Sequence, residues 1–289
     1  MYILLALTTI CAAGKAIMCK QLGADDKESR SLFAWNSGIY LVAAIVALLY
    51  QFSDFGALFR VSLYTFFLAV IFAMFLLFTQ ITEIKAMKLG SASMTILIYS
   101  GGFLLPIAYG YLFANEIISP LRIVGIVIMI AAMVFIIRPR KNGSVSPTWA
   151  VMSLLSMIGS GMIAVTQKHH QNTMYADELA VFVTLGLFFA AVFSFVIACV
   201  KKPTIKPSRL TGKDITFVLM SGVCIGALNL LNLFLAGKID AAVQFPVYNI
   251  GCMILTALFG AFVLKEKHTK SQYAGFVLGC LSIVLIGLQ

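Results

Sequence analysis

Lys15 follows thirteen uncharged residues, Tyr2 to Gly14, and four more uncharged residues separate it from Lys20. A cation in such a setting either binds an anionic group, on a solute or an acidic side chain, or snorkels its ammonium toward the nearer surface along its four-carbon stem. Glu83 lies close to the end of an apolar run. It suits proton or substrate coupling, or else a solvated position beside Lys85. Neutral polar residues form further sets at helical spacing. Gln244 and Tyr248 are four apart with Asn249 adjacent, Thr95 and Tyr99 repeat that spacing, and Asn229 and Asn232 are three apart, as are Gln80 and Glu83. Trp35, Asn36 and Tyr40 open another apolar run. These types can line a solute cavity by hydrogen bonding and, at Trp35, by holding a cation over an aromatic face. The alternatives are cross-helix bonding and an interfacial aromatic anchor.

Other chemistries lack their residues. No pair of catalytic acids, Ser/Lys pair or His/Glu metal set falls within an apolar run, which excludes the intramembrane enzyme classes. His169-His170 is expected in a loop, with no acidic or cysteine partner in ligand spacing, so no metal is assigned. The six cysteines lie in apolar runs at no metal-ligand spacing and read as small packing residues. No G-x-x-x-x-G-K-[ST] element is present, so direct use of ATP is excluded and no cofactor is expected.

The elements that must position these residues are apolar runs of about 20 residues, the length that crosses a ~30 Å hydrocarbon core as a helix. Ten are legible: 2–19, 31–52, 61–82, 91–114, 117–137, 148–167, 179–200, 214–237, 241–264 and 273–288. Only 11% of the 289 residues are charged and the mean hydropathy is +0.99, which leaves no water-facing shell. The expected class is therefore an all-α, multi-pass protein of the cell (inner or plasma) membrane with the bilayer as partner. The first run lacks a basic leader and is read as a span, not a secretory signal. The net charge of +10 sits in the connections and implies no nucleic acid. Connections after odd-numbered runs hold 16 Lys and Arg, those after even-numbered runs four. By the positive-inside rule the odd connections face the cytoplasm and both termini the outside.

Residues 86–136 recur at 236–286 without a gap, with eleven of 51 positions identical, including Lys88/Lys238, Gly101/Gly251, Gly110/Gly260, Glu116/Glu266 and Gly125/Gly275. Chance gives roughly four matches in so apolar a composition. The boundary 138–147, RPRKNGSVSP, reads as a linker between a first repeat (1–140) and a second (141–289). Five spans per repeat is odd, so the second repeat must enter the membrane inverted. The expected architecture is ten transmembrane helices as two inverted-topology five-helix repeats, with a solute site near the midplane between them. Gly101, Gly102 and Pro106 in the fourth run, and Pro246 and Gly251 in the ninth, predict a broken helix in each half. Glu116 and Glu266 read as structural.

The segments A-x-K-L-G-S-A-S, then N-E-I-I-S-P-L-R-I-V-G, and in the second copy A-G-K-I-D-A-A, then L-K-E-K-H-T-K-S-Q-Y-A-G, resemble the signature of the drug/metabolite transporter superfamily, EamA type. The resemblance spans essentially the whole chain. It implies a secondary transporter of a small-molecule solute by alternating access, without an ATPase site, and it implies cytoplasmic termini, opposite to the charge count. Some members of the superfamily move lipid-linked sugars, so a carrier-lipid translocator is the alternative. Substrate-binding candidates are Lys15, Trp35, Asn36, Gln80, Thr95, Tyr99, Asn229, Asn232, Gln244, Tyr248 and Asn249, with Glu83 as the coupling candidate. A homo-oligomer stays open.

Overall fold

The structure is a computed structural model. It describes residues 2–24, 29–50, 56, 60–113, 119–137, 146–200, 212–236, 241–263, 265 and 270–287. Among them there is no strand. The first half holds α1 (Tyr2–Ala24), α2 (Ser29–Tyr50), α3 (Leu63–Leu89), α4 (Ala92–Ser100), a 3-10 turn (Gly101–Phe103), α5 (Leu104–Phe113) and α6 (Pro120–Ile137). The second holds α7 (Pro147–Gln171), a 3-10 turn (Ala176–Glu178), α8 (Leu179–Val200), α9 (Gly212–Ala236), α10 (Ala241–Phe262) and α11 (Lys270–Gly287). Among the described residues, six helical segments are long and apolar enough to cross a membrane: 32–50, 63–89, 92–113, 147–171, 176–200 and 214–232. Four shorter apolar stretches lie in α1, α6, α10 and α11.

The helices are apolar on both faces, and the buried faces mix alanines with large residues. On α3, Ala69, Phe72, Ala73 and Leu76 are buried while Phe67, Ile71, Met74 and Phe78 point outward. Small residues inside let backbones approach, and large ones outside meet lipid, where apolar burial between helices gains little. On α9, Gly222 and Gly226 allow a close approach to α2. A Cβ at Gly222 would lie 2.7 Å from the Ile39 carbonyl of α2, and one at Gly226 2.9 Å from that of Ala43.

The two halves are interleaved. α1 packs on α9 and α10, α2 on α8 and α9, α3 on α7 and α8, α7 on α4 and α5, and α6 on α11. Helix direction follows from the contacts. Ser282 Oγ donates to the Gly125 carbonyl (2.7 Å) and Ser271 Oγ to that of Phe135 (2.8 Å), so α6 and α11 are antiparallel. Tyr40 OH donates to the Leu76 carbonyl (2.8 Å) between adjacent α2 and α3.

Two expectations require correction. Pro246 and Gly251 predict a broken ninth span, but α10 is helical from Ala241 to Phe262. The helix runs through Pro246, its sixth residue, at the loss of one i→i−4 bond, and Gly251 accommodates α1: a Cβ there would run into Thr9. The break in the first half is present, at Gly101–Phe103, and Pro106 falls in the first turn of α5, where no intrahelical N–H is required. His169 and His170 are not in a loop either. They close α7, where the helix C-terminus favours basic side chains.

Candidate functional site

α1, α3, α4 and α10 meet around an ion pair. Lys15 Nζ on α1 donates to Glu83 Oε2 on α3, and the same ammonium stands 4.8 Å above the ring centroid of Tyr99 on α4. The Lys15 side chain is 12% exposed and that of Glu83 0%. Glu83 lies six residues before the end of α3, a full turn and a half deeper than a solvated position beside Lys85 requires. The expectation of a surface carboxylate therefore fails for a geometric reason, since the helix continues to Leu89. Lys15 does not snorkel. Ala12, Ala13 and Ala16 surround it on α1, and Ile84, Met87, Cys252 and Met253 complete the apolar wall.

A second lysine sets the register of these helices. Lys20 Nζ donates to the carbonyls of Met87 (2.6 Å) and Gly90 (2.5 Å), which close α3 and lack helical partners. Lys15 meets Glu83 and Lys20 meets the end of the same helix, so α1 and α3 run parallel with α3's carboxylate held at Lys15. The sequence allows Lys15 an acidic partner without naming it, and counts Lys20 only among the basic residues of the first connection. The available signal was that two opposite charges within membrane spans must pair.

The remaining candidates divide. Asn36 on α2 is fully buried, and neither its Oδ1 nor its Nδ2 has a hydrogen-bond partner among the described residues; Glu83 Oε1 has none either. Asn36 is one turn before Tyr40 on α2, and Gln80 on α3 is buried as well. Buried polar groups in proteins are overwhelmingly paired, so Asn36 and Glu83 Oε1 each have capacity for a further polar contact. Trp35 is buried in the α2–α3–α8 cluster and is not displayed as a surface anchor.

Thr95 is spoken for. Its Oγ1 accepts from Trp149 Nε1 of α7 (2.9 Å) and donates to the Ser91 carbonyl (2.8 Å), which binds α4 to α7. Replacing Trp149 by Phe is expected to cost about 1 kcal/mol, the net worth of that bond. Thermal melting of the purified variant beside Thr95→Val measures it, and the two losses should not add, because they remove the same bond. Asn229 is half-buried and donates to the Ile225 carbonyl of its own helix (2.8 Å); Asn232 is half-buried one turn on. The side chains of Gln244, Tyr248 and Asn249 lie outside the described residues, although Tyr248 and Asn249 occur in α10 one turn before Cys252. Glu116 and Glu266 also lie outside them.

Residues 147–288 match the sequence profile of the EamA-like transporter family. Through that half, the chain belongs to the EamA-like transporter family. The family is one of membrane transporters in the drug/metabolite transporter superfamily, and the apolar helices are those of a multi-pass membrane protein. An uncharacterized protein of Haemophilus influenzae is 25% identical over 187 residues, 62% of this chain and 60% of that relative. The match therefore spans about three-fifths of the relative's length. A solved crystal structure superposes with a TM-score of 0.66 at 13% identity, covering 96% of this chain and 95% of the other. At that identity the likeness concerns the fold. In this EamA-like chain the profile covers the second half, while both members of the ion pair belong to the first. A shift of 150 residues carries Lys15 to Val165 and Glu83 to Leu233, so the charges are no by-product of the repeat.

A separate polar cluster joins the N-terminal end of α3 to the α7–α8 connection. Glu178 accepts from the Ser62 amide (3.2 Å) and hydroxyl (2.7 Å), His170 Nε2 shares a hydrogen bond with Thr65 Oγ1 (3.0 Å), and His170 stacks on Phe182. His169 Nδ1 and Tyr109 OH are 2.7 Å apart. These groups cap helix ends. Among the described residues no group of three His, Cys, Asp or Glu could hold a metal.

Proposed function

We propose that this protein is a secondary active transporter that moves a small polar organic solute across the cell membrane by alternating access. The observation that carries the reading is the buried Lys15–Glu83 pair, with Glu83 Oε1 left unpaired. Each buried charge must be compensated in a low-dielectric interior. The pair is neutral as it stands. A solute carrying one charge would leave one protein charge without a partner, whereas a zwitterion presents its anionic end to Lys15 and its cationic end to Glu83 and conserves neutrality. Asn36, with one donor group and one acceptor, suits a further polar atom of such a solute.

The proposed frame is ten spans in two inverted repeats, 1–140 and 141–289. It is supported by the antiparallel course of α6 and α11, which correspond under the shift of 150 residues, and by the helix pairings. That shift exchanges the α1–α9 contact with α3–α7, and α2–α9 with α3–α8. A site between related halves is where rocking of one against the other alternately opens it.

Thermal melting of the purified protein with small zwitterions, monoanions, monocations and carrier lipids tests the reading, with Lys15→Ala in parallel. A zwitterion at about 100 times its Kd should stabilise the wild type by about 2.7 kcal/mol and leave the variant unmoved. Stabilisation by carrier lipids alone would replace the small-solute reading with that of a lipid-linked-sugar translocator.

A further inference from the structure

We propose that Cys11 and Cys224 form a reversible disulfide that ties α1 to α9 one turn from Lys15 and locks the two halves together. Cys11 belongs to the first half and Cys224 to the second, on helices in direct contact. The two thiols lie near enough to perturb one another. An independent feature places Cys224 Sγ against the same stripe of α1. A Cβ built on Gly14, three residues after Cys11, would lie 3.1 Å from that sulfur. The missing side chain of Gly14 therefore makes the slot that Cys224 fills. Both cysteines are free. Among the other described cysteines, Cys252 lies against Thr256 of its own helix, and Cys199 is exposed at the end of α8.

The chemistry needs a membrane-permeant two-electron oxidant, and a diazenedicarboxamide supplies it. One thiol adds across the N=N bond, and the second sulfur displaces the nitrogen. The S–S bond forms, two S–H bonds break, and the N=N bond is reduced to a hydrazide that takes both protons. A dithiol reverses the step by exchange. Cys11 and Lys15 are four apart on one face of α1, so the bridge fixes the helix that carries the ammonium to a helix of the opposite half. Relative movement of α1 and α9 at that level then stops. This lock goes beyond the solute reading, and its test does not depend on any solute.

The full chain, with a specific protease site inserted after Lys141, is reconstituted in lipid nanodiscs, oxidised with diamide, blocked with maleimide, cleaved and run on a non-reducing denaturing gel. The two halves are expected to migrate as one band, and to separate after dithiothreitol. In Cys11→Ser and in Cys224→Ser they should separate without reduction, with unoxidised melting curves within a few degrees of wild type. Separate halves in the oxidised wild type, or a bridge surviving in either variant, would overturn the assignment. The oxidised wild type should also melt several degrees above its reduced form, because the bridge closes a very long loop in the unfolded chain. A bridge formed without that rise would mean that it distorts the α1–α9 contact, and the lock would be rejected.

Discussion

Replacing Lys15 by Met or Glu83 by Gln, singly, is expected to destabilise the protein more than replacing both together. Each single substitution removes one partner of a buried pair and strands the other charge among Ala12, Ala16, Ile84 and Met87. Breaking a buried pair from one side typically costs about 3–5 kcal/mol, whereas replacing both partners by groups of similar shape is often close to neutral. The double variant should therefore recover most of the loss, giving a coupling of about 2 kcal/mol or more in a double-mutant cycle. Thermal melting in detergent measures all four proteins. Equal losses in the singles and the double would show that the two charges are independent, and the site argument would go with them. The same four proteins separate stability from function. If the pair exists to hold a solute, the double variant folds well but is not stabilised by zwitterions. If it serves only to fasten α1 to α3, the double variant still responds to them.

Much of the scaffold is readable from residue patterns because bilayer thickness fixes helix length. Nine of the ten apolar runs correspond to one helix each, and the fourth to the pair α4 and α5 with the turn between them. The limits arise where a third body decides the outcome. Gly251 and Gly101 are aligned and identical, yet one lies in a continuous helix and the other opens a 3-10 turn. Thr9 of α1 fills the space at Gly251, while Met133 and Met157 press on Gly101. Helical spacing suggested that Thr95 shares a cavity face with Tyr99, but Trp149 of α7 takes its hydroxyl. Lys15 and Glu83 were each conspicuous, and 68 residues of sequence hid their contact. It becomes visible only when α1 and α3 are known to run parallel and in a register that Lys20 fixes at the other end.

Substituting Ala for Gly102 should cost more than deleting any single hydrogen bond near it, about 2–3 kcal/mol as overpacking against backbone. A Cβ there would overlap Ser160 Oγ and lie 2.6 Å from the Met157 carbonyl and 2.9 Å from the Gly161 nitrogen, atoms that cannot rotate away. The contact is mutual: a Cβ at Gly161 would lie 2.5 Å from the Gly102 carbonyl and 2.8 Å from Leu105 Cβ. Two glycines on separate segments thus bring the broken span against α7 at backbone distance. Ser160 Oγ uses that proximity to donate to the Tyr99 carbonyl (3.0 Å), at the end of α4 where the regular helix stops. Ser160→Ala should cost only about 1 kcal/mol, and Gly212→Ala, with nothing within 4 Å, no more than about 0.5 kcal/mol either way. Melting curves for the three variants rank these effects. A Gly102→Ala loss no larger than that of Ser160→Ala would mean that the break is held by side-chain bonding alone. The expected ranking instead makes α7 the splint of the break, and Tyr99 links that splint to the site. The ring beneath the Lys15 ammonium belongs to the residue whose carbonyl Ser160 holds, so forcing α7 away at Gly102 should also move the aromatic face under the ion pair.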